Sequence, residues 1–285
     1  MALAVLFGRD RGKLLLNTAD GECSVKIYIR VHLDYQVPEP CTILMQLEAA
    51  ELVQQTVDSC ELVIADNPVL NRLEAGDGVG ERVWLQVVGK FDCIYRAKLN
   101  ITRTQVDLDS TCATPLPDLP AEVVKYLLPS RYCPIIEFEY LAVSHFGDRQ
   151  GGALISAMSD WIYDNFTYDI GASDATTTAQ QSLEQRRGVC RDYAHVLISM
   201  ARASGIPARY ASVYSPDVDP MDFHAVAEVF LDNAWQMVDP TGMSVPQRTA
   251  IIGVGRDATD VAFLTSFGDL HLVNQQVQVE VVDFD

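Results

Sequence analysis

From Ser24 to Tyr35 the chain reads SVKIYIRVHLDY, and apolar and polar residues change places at almost every step. Val25, Ile27, Ile29, Val31, Leu33 and Tyr35 fall on one side, and Lys26, Tyr28, Arg30, His32 and Asp34 on the other. A β-strand sorts such a pattern into one buried and one wet face, because its side chains point alternately up and down; a helix would spread the apolar groups around its whole girth. A second run, FDCIYRAKLNI, turns Phe91, Cys93, Tyr95, Ala97, Leu99 and Ile101 inward in the same way. The stretch VWLQVVGKF ahead of it suggests a hairpin reversing near Gly89 and Lys90. Residues 1–114 are therefore expected to form an antiparallel β domain of two packed sheets.

The period changes after PLPDLP, Pro115 to Pro120, whose three prolines cannot continue a strand. Residues 115–150 are read as a linking region, and 151–285 as a second domain. Leu154, Met158, Trp161 and Ile162 recur at helical spacing, which predicts a helix over 152–165. T-A-Q-Q at Thr178 offers a capping box for another that runs toward Arg187. A third begins at Cys190 and stops at Gly205, followed by Ile206 and Pro207. ARYASVY, FHAVAEVFL, WQMVDP and, near the end, QVQVEVV read as strands. Helices first and strands afterwards imply an α+β fold with helices packed on an antiparallel sheet.

The chain has 285 residues, enough for two cores, with 48% hydrophobic and 21% charged residues, as in ordinary folded proteins. Its net charge of -18 repels phosphate backbones and anionic membranes, so nucleic acid and membrane surfaces are poor partners. No apolar run reaches the roughly 18 residues of a spanning helix, and MALAVLFGRDR lacks the basic start of an export signal, so a cytoplasmic location is expected. The seven cysteines, Cys23, Cys41, Cys60, Cys93, Cys112, Cys133 and Cys190, contain no CxxC pair, which argues against a zinc cage and a redox dithiol. Most would be inert core thiols in a reducing compartment; six bridged and one free would also fit the count in an exported protein.

Cys190 stands where a loop with Gly188 turns into a helix, beside Arg186, Arg187 and Arg191. Unpaired backbone N–H groups and the positive end of the helix dipole favour a thiolate there, although a buried, inert cysteine is equally at home at a helix start. A second element is DFHAVAEVFLDNAWQMVDPT. A two- or four-residue turn at Asp232 and Asn233 sets Asp239 opposite Val226, a diagonal neighbour of His224 on the same face at about 7–8 Å. An odd loop would separate them. Nucleophile, base and orienting carboxylate are the parts that nucleophilic catalysis requires. Taken singly, each has a bland reading: a core thiol, a sheet histidine, a D-P-T turn.

GVCRDYAHVLISMARASGIPARY followed by DFHAVAEVFLDNAWQMVDPT resembles the core of the transglutaminase-like superfamily, in particular its bacterial candidate cysteine peptidase branch. YLLPSRYC, WIYDNFTYDIGAS and GRDATDVAF match too, and the β region more loosely resembles that branch's accessory domain. The resemblance implies a papain-like transglutaminase core behind an N-terminal β domain. It implies Cys190 as nucleophile, His224 as general base and Asp239 as the residue orienting His224, acting through a thioester on the amides of a protein or peptide, with no cofactor or metal. Water as acceptor gives a peptidase-like hydrolase, the expected activity; an amine gives protein cross-linking. A non-catalytic interaction module on the same fold is the rival reading.

The backbone N–H of Cys190 is one natural oxyanion donor; for a second, Tyr168, Gln185 and Trp161 qualify by chemistry, Trp161 being better placed for the core. His195 is five residues past Cys190, on another side of the helix, and reads as structural. Asp192 suits the helix start and an anchor for Arg191. Asp217, Asp219 and Asp222 in SPDVDPMDF read as an acidic surface loop rather than a calcium site and, if close to His224, would favour cationic substrates. Arg256, Asp257 and Asp260 read as a charge network, and Tyr28 and Trp84 as sheet-face aromatics.

Overall fold

The structure is a computed structural model that describes residues 24–282. Cys23 and the stretch MALAVLFGRDR, read above for an export signal, lie outside the described residues. The protein is mixed α+β, with antiparallel sheets and few helices. Among the described residues, no helix is long and apolar enough to cross a membrane.

The alternating runs form β1 (Val25–Met45) and β4 (Glu81–Ile101), each 21 residues long and paired antiparallel along most of their length. Burial follows the pattern step for step: Ile27, Ile29, Val31 and Leu33 are fully enclosed, while Lys26, Tyr28, Arg30 and His32 are only partly covered. Each such Ile or Leu contributes about 1.5–3 kcal/mol relative to exposure. No hairpin turns at Gly89 and Lys90. β4 runs straight through them, and the irregularity falls on β1, where the register shifts between Val37 and Cys41 across Pro38 and Pro40. Gly89 takes φ +76° at that bend, a value glycine adopts without steric cost.

Instead of two separate sheets, one six-stranded sheet results. On one side of the bend, β2 (Gln55–Ile64) joins β4; on the other, β3 (Asn71–Glu74) does. The outer edge of β1 is covered by β11 (Leu264–Ser266) and β12 (His271–Val281). The terminal QVQVEVV is therefore a strand, but of the first sheet. Val277 and Val279 enter that sheet's core, which gives their alternation its partner.

The stretch 115–150, read as a link, carries α1 (Ala121–Val124) and α2 (Ile136–Phe146); Phe138, Ala142 and Phe146 of α2 lie in the second core. α3 (Gly151–Asn165) buries Leu154, Ile155, Met158 and Ile162, the predicted stripe. α4 (Ala179–Gln185) begins with Thr178 and Gln181 in a reciprocal capping box, and ends where Arg186 turns left-handed. Two short parallel strands, β5 (Thr167–Tyr168) and β6 (Arg187–Gly188), lead into α5 (Cys190–Ala203), which stops before Gly205 at φ +74°. α5 packs on a four-stranded antiparallel sheet ordered β10 (Ala250–Gly255), β7 (Ala208–Tyr214), β8 (His224–Leu231), β9 (Ala234–Val238).

Candidate active site

Cys190 is the first residue of α5, and the turn before it is fixed by Asp192. That carboxylate is wholly buried and accepts the Val189 N–H at 2.8 Å, closing the exposed end of the helix. Its other oxygen lies 3.3 Å from Arg191, whose guanidinium also donates to Ser173 Oγ and the Asp174 carbonyl. The approach explains Gly188: a Cβ there would stand 2.6 Å from Asp192 Oδ2. Cys190 itself is partly accessible.

His224 opens β8, and Asp239 follows β9. Asp232 and Asn233 adopt φ of 50° and 58°, the left-handed values of a two-residue hairpin turn, and Leu231 pairs with Ala234 directly across it. The register continues to Ala227 opposite Val238, so that Asp239 falls next to Val226 and diagonal to His224, as the turn arithmetic requires. His224 Nε2 and Asp239 Oδ2 are 2.8 Å apart, with both side chains almost fully enclosed.

Asp239 is held by further donors that the pattern had not flagged. Oδ1 accepts from the Thr241 N–H at 2.9 Å and hydroxyl at 2.7 Å, and Oδ2 from the Ser244 N–H at 2.9 Å and hydroxyl at 2.7 Å. Thr241 was legible in principle, because Asp-x-Thr is the spacing of a turn closed by an Asp side chain; Ser244, five residues on, was not. Burial alone would raise the Asp239 carboxyl, but the charge of His224 and these hydrogen bonds hold it below the usual carboxylate range. For His224, burial alone would lower the pKa; the Asp239 charge and hydrogen bond outweigh it, with help from Cys190, and bring it to about 10. With Nε2 committed to Asp239, the buried Nδ1 makes no well-aligned hydrogen bond and is the ring atom left to interact with the Cys190 sulfur.

Of the three side chains that could supply a second oxyanion donor, Tyr168 neighbours Cys190. Its strand pairs Tyr168 with Gly188, and its hydroxyl interacts with both the Cys190 thiol and the Cys190 backbone N–H. Burial, and then the adjacent sulfur, push that phenol upward. Gln185 is exposed at the end of α4. Trp161 packs on the second core beneath the Arg186 guanidinium, 4.3 Å from its ring centre.

His195 points away, as its position around the helix requires. It is fully buried between Tyr132 and Tyr210, with ring centres 5.2 and 5.3 Å away, and Nε2 accepts the Ala258 N–H at 3.2 Å. Desolvation pulls it down to about 3, so it is a neutral packing residue. Asp257 accepts the Tyr132 N–H at 2.9 Å, and Arg256 pairs with Asp260 at 2.9 Å, so GRDATDVAF and YLLPSRYC brace the back of α5. Among the described cysteines, Cys41, Cys60, Cys93, Cys112, Cys133 and Cys190 are all unbridged; desolvation pushes Cys93 and Cys133 up to about 12, which marks them as inert.

Residues 146–240, which hold α3 through the His224–Asp239 pair, match the transglutaminase-like superfamily. The structure of a candidate cysteine protease from Cytophaga hutchinsonii aligns with a TM-score of 0.88 and 30% identity, over 92% of this chain and 92% of that one. An uncharacterised protein of Mycobacterium tuberculosis is 33% identical over 164 residues, 52% of this chain and 52% of that protein. One of Mycobacterium leprae is 32% identical over 117 residues, 38% of this chain and 42% of the other. The chain thus spans about half the length of the curated relatives it matches. With the fold aligned over nearly its full length to that neighbour and the superfamily match lying across Cys190, His224 and Asp239, the chain belongs to the transglutaminase-like superfamily.

Proposed function

We propose that the protein is a cysteine-dependent amide hydrolase of the transglutaminase-like peptidase kind, with Cys190 as nucleophile, His224 as acid and base, and Asp239 as the group that orients His224. One observation carries the reading: His224 gives Nε2 to Asp239 at 2.8 Å and leaves a buried, unpartnered Nδ1 for the sulfur. His195 also leaves a buried Nδ1 without a hydrogen bond, but it packs between two tyrosines and is neutral; His224 is set apart by its carboxylate partner and by the Cys190 sulfur on its other side. The neighbour from Cytophaga hutchinsonii, itself described as a candidate cysteine protease, supports the same class.

The Cys190 thiolate attacks the carbonyl carbon of an amide, forming a C–S bond and an oxyanion. The Cys190 N–H and the Tyr168 hydroxyl, which interact with each other beside the sulfur, are the proposed donors to that charge. His224 passes its Nδ1 proton to the departing nitrogen, the C–N bond breaks, and a thioester remains. Water enters, gives a proton back to Nδ1, and its hydroxide displaces the sulfur to release the acid. Asp239 keeps one tautomer and one ring orientation throughout, and balances the imidazolium between steps.

The test is peptide-mapped alkylation with iodoacetamide alongside turnover of peptide amides. Cys190 is expected to alkylate at least tenfold faster than the buried thiols and to lose that lead in His224→Ala, while Cys190→Ala abolishes turnover. Equal, slow reactivity of all thiols would favour an interaction module. Incorporation of a labelled primary amine into a glutamine-rich protein, without release of acid, would replace hydrolysis by cross-linking.

A further inference from the structure

Asp222 precedes His224 by two residues and is exposed at the entry to β8. The residue between them is turned the other way. Phe223 packs against the first core, stacked on Phe263 at 4.3 Å with an interplanar angle of 11° and 5.8 Å from Tyr214. Met221 packs against that core as well. The segment is thus anchored from below on both sides of Asp222. Its carboxylate is aimed rather than loose: Oδ1 accepts the Phe223 N–H at 2.8 Å and the Gln275 side-chain amide at 2.7 Å. Gln275 belongs to β12, so the first sheet reaches the rim of the site.

Oδ2 of Asp222 makes none of the hydrogen bonds or ion pairs found among the described residues, and it stands at a solvent-facing position. Asp222 and His224 are two residues apart with Phe223 turned to the first core between them, which sets Asp222 on the His224 side of the segment, and its charge acts on Tyr168 beside Cys190. Cys190 is partly accessible, so an amide that reacts with it must come from the side on which its sulfur is open. The cations around Cys190 are engaged elsewhere: Arg191 with Asp192, Ser173 and the Asp174 carbonyl, Arg187 with Asp169, and Arg186 over Trp161. A carboxylate with one fixed and one open oxygen is therefore the charge that this mouth presents.

We propose that Asp222 is a specificity-determining residue that draws a lysine or arginine side chain of the substrate to the mouth of the Cys190 site, so that amides next to a basic residue are preferred. The proposal rests on Cys190 being the nucleophile, and its test separates the two. Methanethiosulfonates transfer a thioalkyl group to a thiolate and release methanesulfinate; they exist with a trimethylammonium, a sulfonate or an uncharged methyl tail. Their rates at Cys190 are read by peptide-mapped mass spectrometry and normalised to the uncharged reagent. A cation-to-anion rate ratio of about tenfold is expected, falling toward unity in Asp222→Asn, which keeps an acceptor for Phe223 and Gln275. Peptide amides carrying Lys or norleucine beside the reacting bond should lose their difference in kcat/KM in the same variant. If the ratio and the Lys preference are unchanged in Asp222→Asn while Cys190 still reacts in a His224-dependent way, the role of Asp222 is overturned and the nucleophile stands. If Cys190 reacts slowly with every tail and is indifferent to His224→Ala, both fall.

Discussion

Asp239 receives five hydrogen bonds, from the imidazole of His224 and from the backbone and hydroxyl groups of Thr241 and Ser244. So many donors serve a group that must stay charged and still in a dry place. The proton on His224 is the counterpart, since its pKa rises from 6.5 to about 10 as the Asp239 charge outweighs burial. A raised folded-state pKa stabilises fully below the unfolded value and loses that contribution as pH climbs through the folded one. Asp239→Asn should therefore cost about 3–5 kcal/mol near pH 6 and progressively less toward pH 10, measured by urea unfolding across that range. A deficit that stays flat from pH 6 to pH 10 would mean that His224 is neutral. Turnover should fall about 10³-fold or more, since an amide leaves the ring free to take the wrong tautomer. The meeting of His224 with Asp239, and the place of Cys190 at a helix start, were readable because a two-residue turn and a helix start fix side-chain positions by simple geometry. The preference for Tyr168 over Gln185 and Trp161 was not, because it depends on the pairing of two strands too short to leave a pattern.

At the scale of elements, α5 is the piece that carries Cys190, and its first turn is sealed by Asp192 and allowed by Gly188. Asp192→Ala should cost about 1–3 kcal/mol in thermal unfolding, since it removes a cap and leaves the Val189 N–H and Arg191 without their buried partner; Asp192→Asn, which keeps an acceptor, should cost less. Equal losses in the two variants would show that charge, not capping, does the holding. α3, α4 and α5 were legible in their apolar stripes and caps, and β7 to β9 in their turn residues. The bend of the first sheet was not. Gly89 and Lys90 look like the tip of a hairpin, but the sequence of β4 does not show that Pro38 and Pro40 on the partner strand supply the extra residues that make the bend there. The destination of β12 was hidden for a similar reason: alternation says that a strand has one buried face, and nothing about which sheet provides the cover.

At the scale of the whole molecule, the two sheets are joined by polar contacts in a dry interface. The Gln55 side chain, fully buried, donates to the Ala50 and Ile251 carbonyls at 2.7 and 2.8 Å and accepts the Ile251 N–H at 2.7 Å. It thereby ties β2 to β10. Beside it, the Tyr214 hydroxyl donates to the Leu47 carbonyl at 2.7 Å, and Tyr214, Ala250 and Ile252 from the second sheet lie within the first core. The first sheet is thus part of what holds the site, because Phe223 rests on its core and Gln275 steadies Asp222. It follows that the two sheets should unfold together, in a single calorimetric transition. Gln55→Leu, similar in bulk but unable to hydrogen-bond, would strand the Ile251 N–H in the interface and should lower stability by about 1–3 kcal/mol. The parent should keep one heat-absorption peak and the variant should move it as a whole. Two resolved peaks in the parent would show that the sheets fold independently and that the first contributes nothing to the rigidity of the Cys190 site.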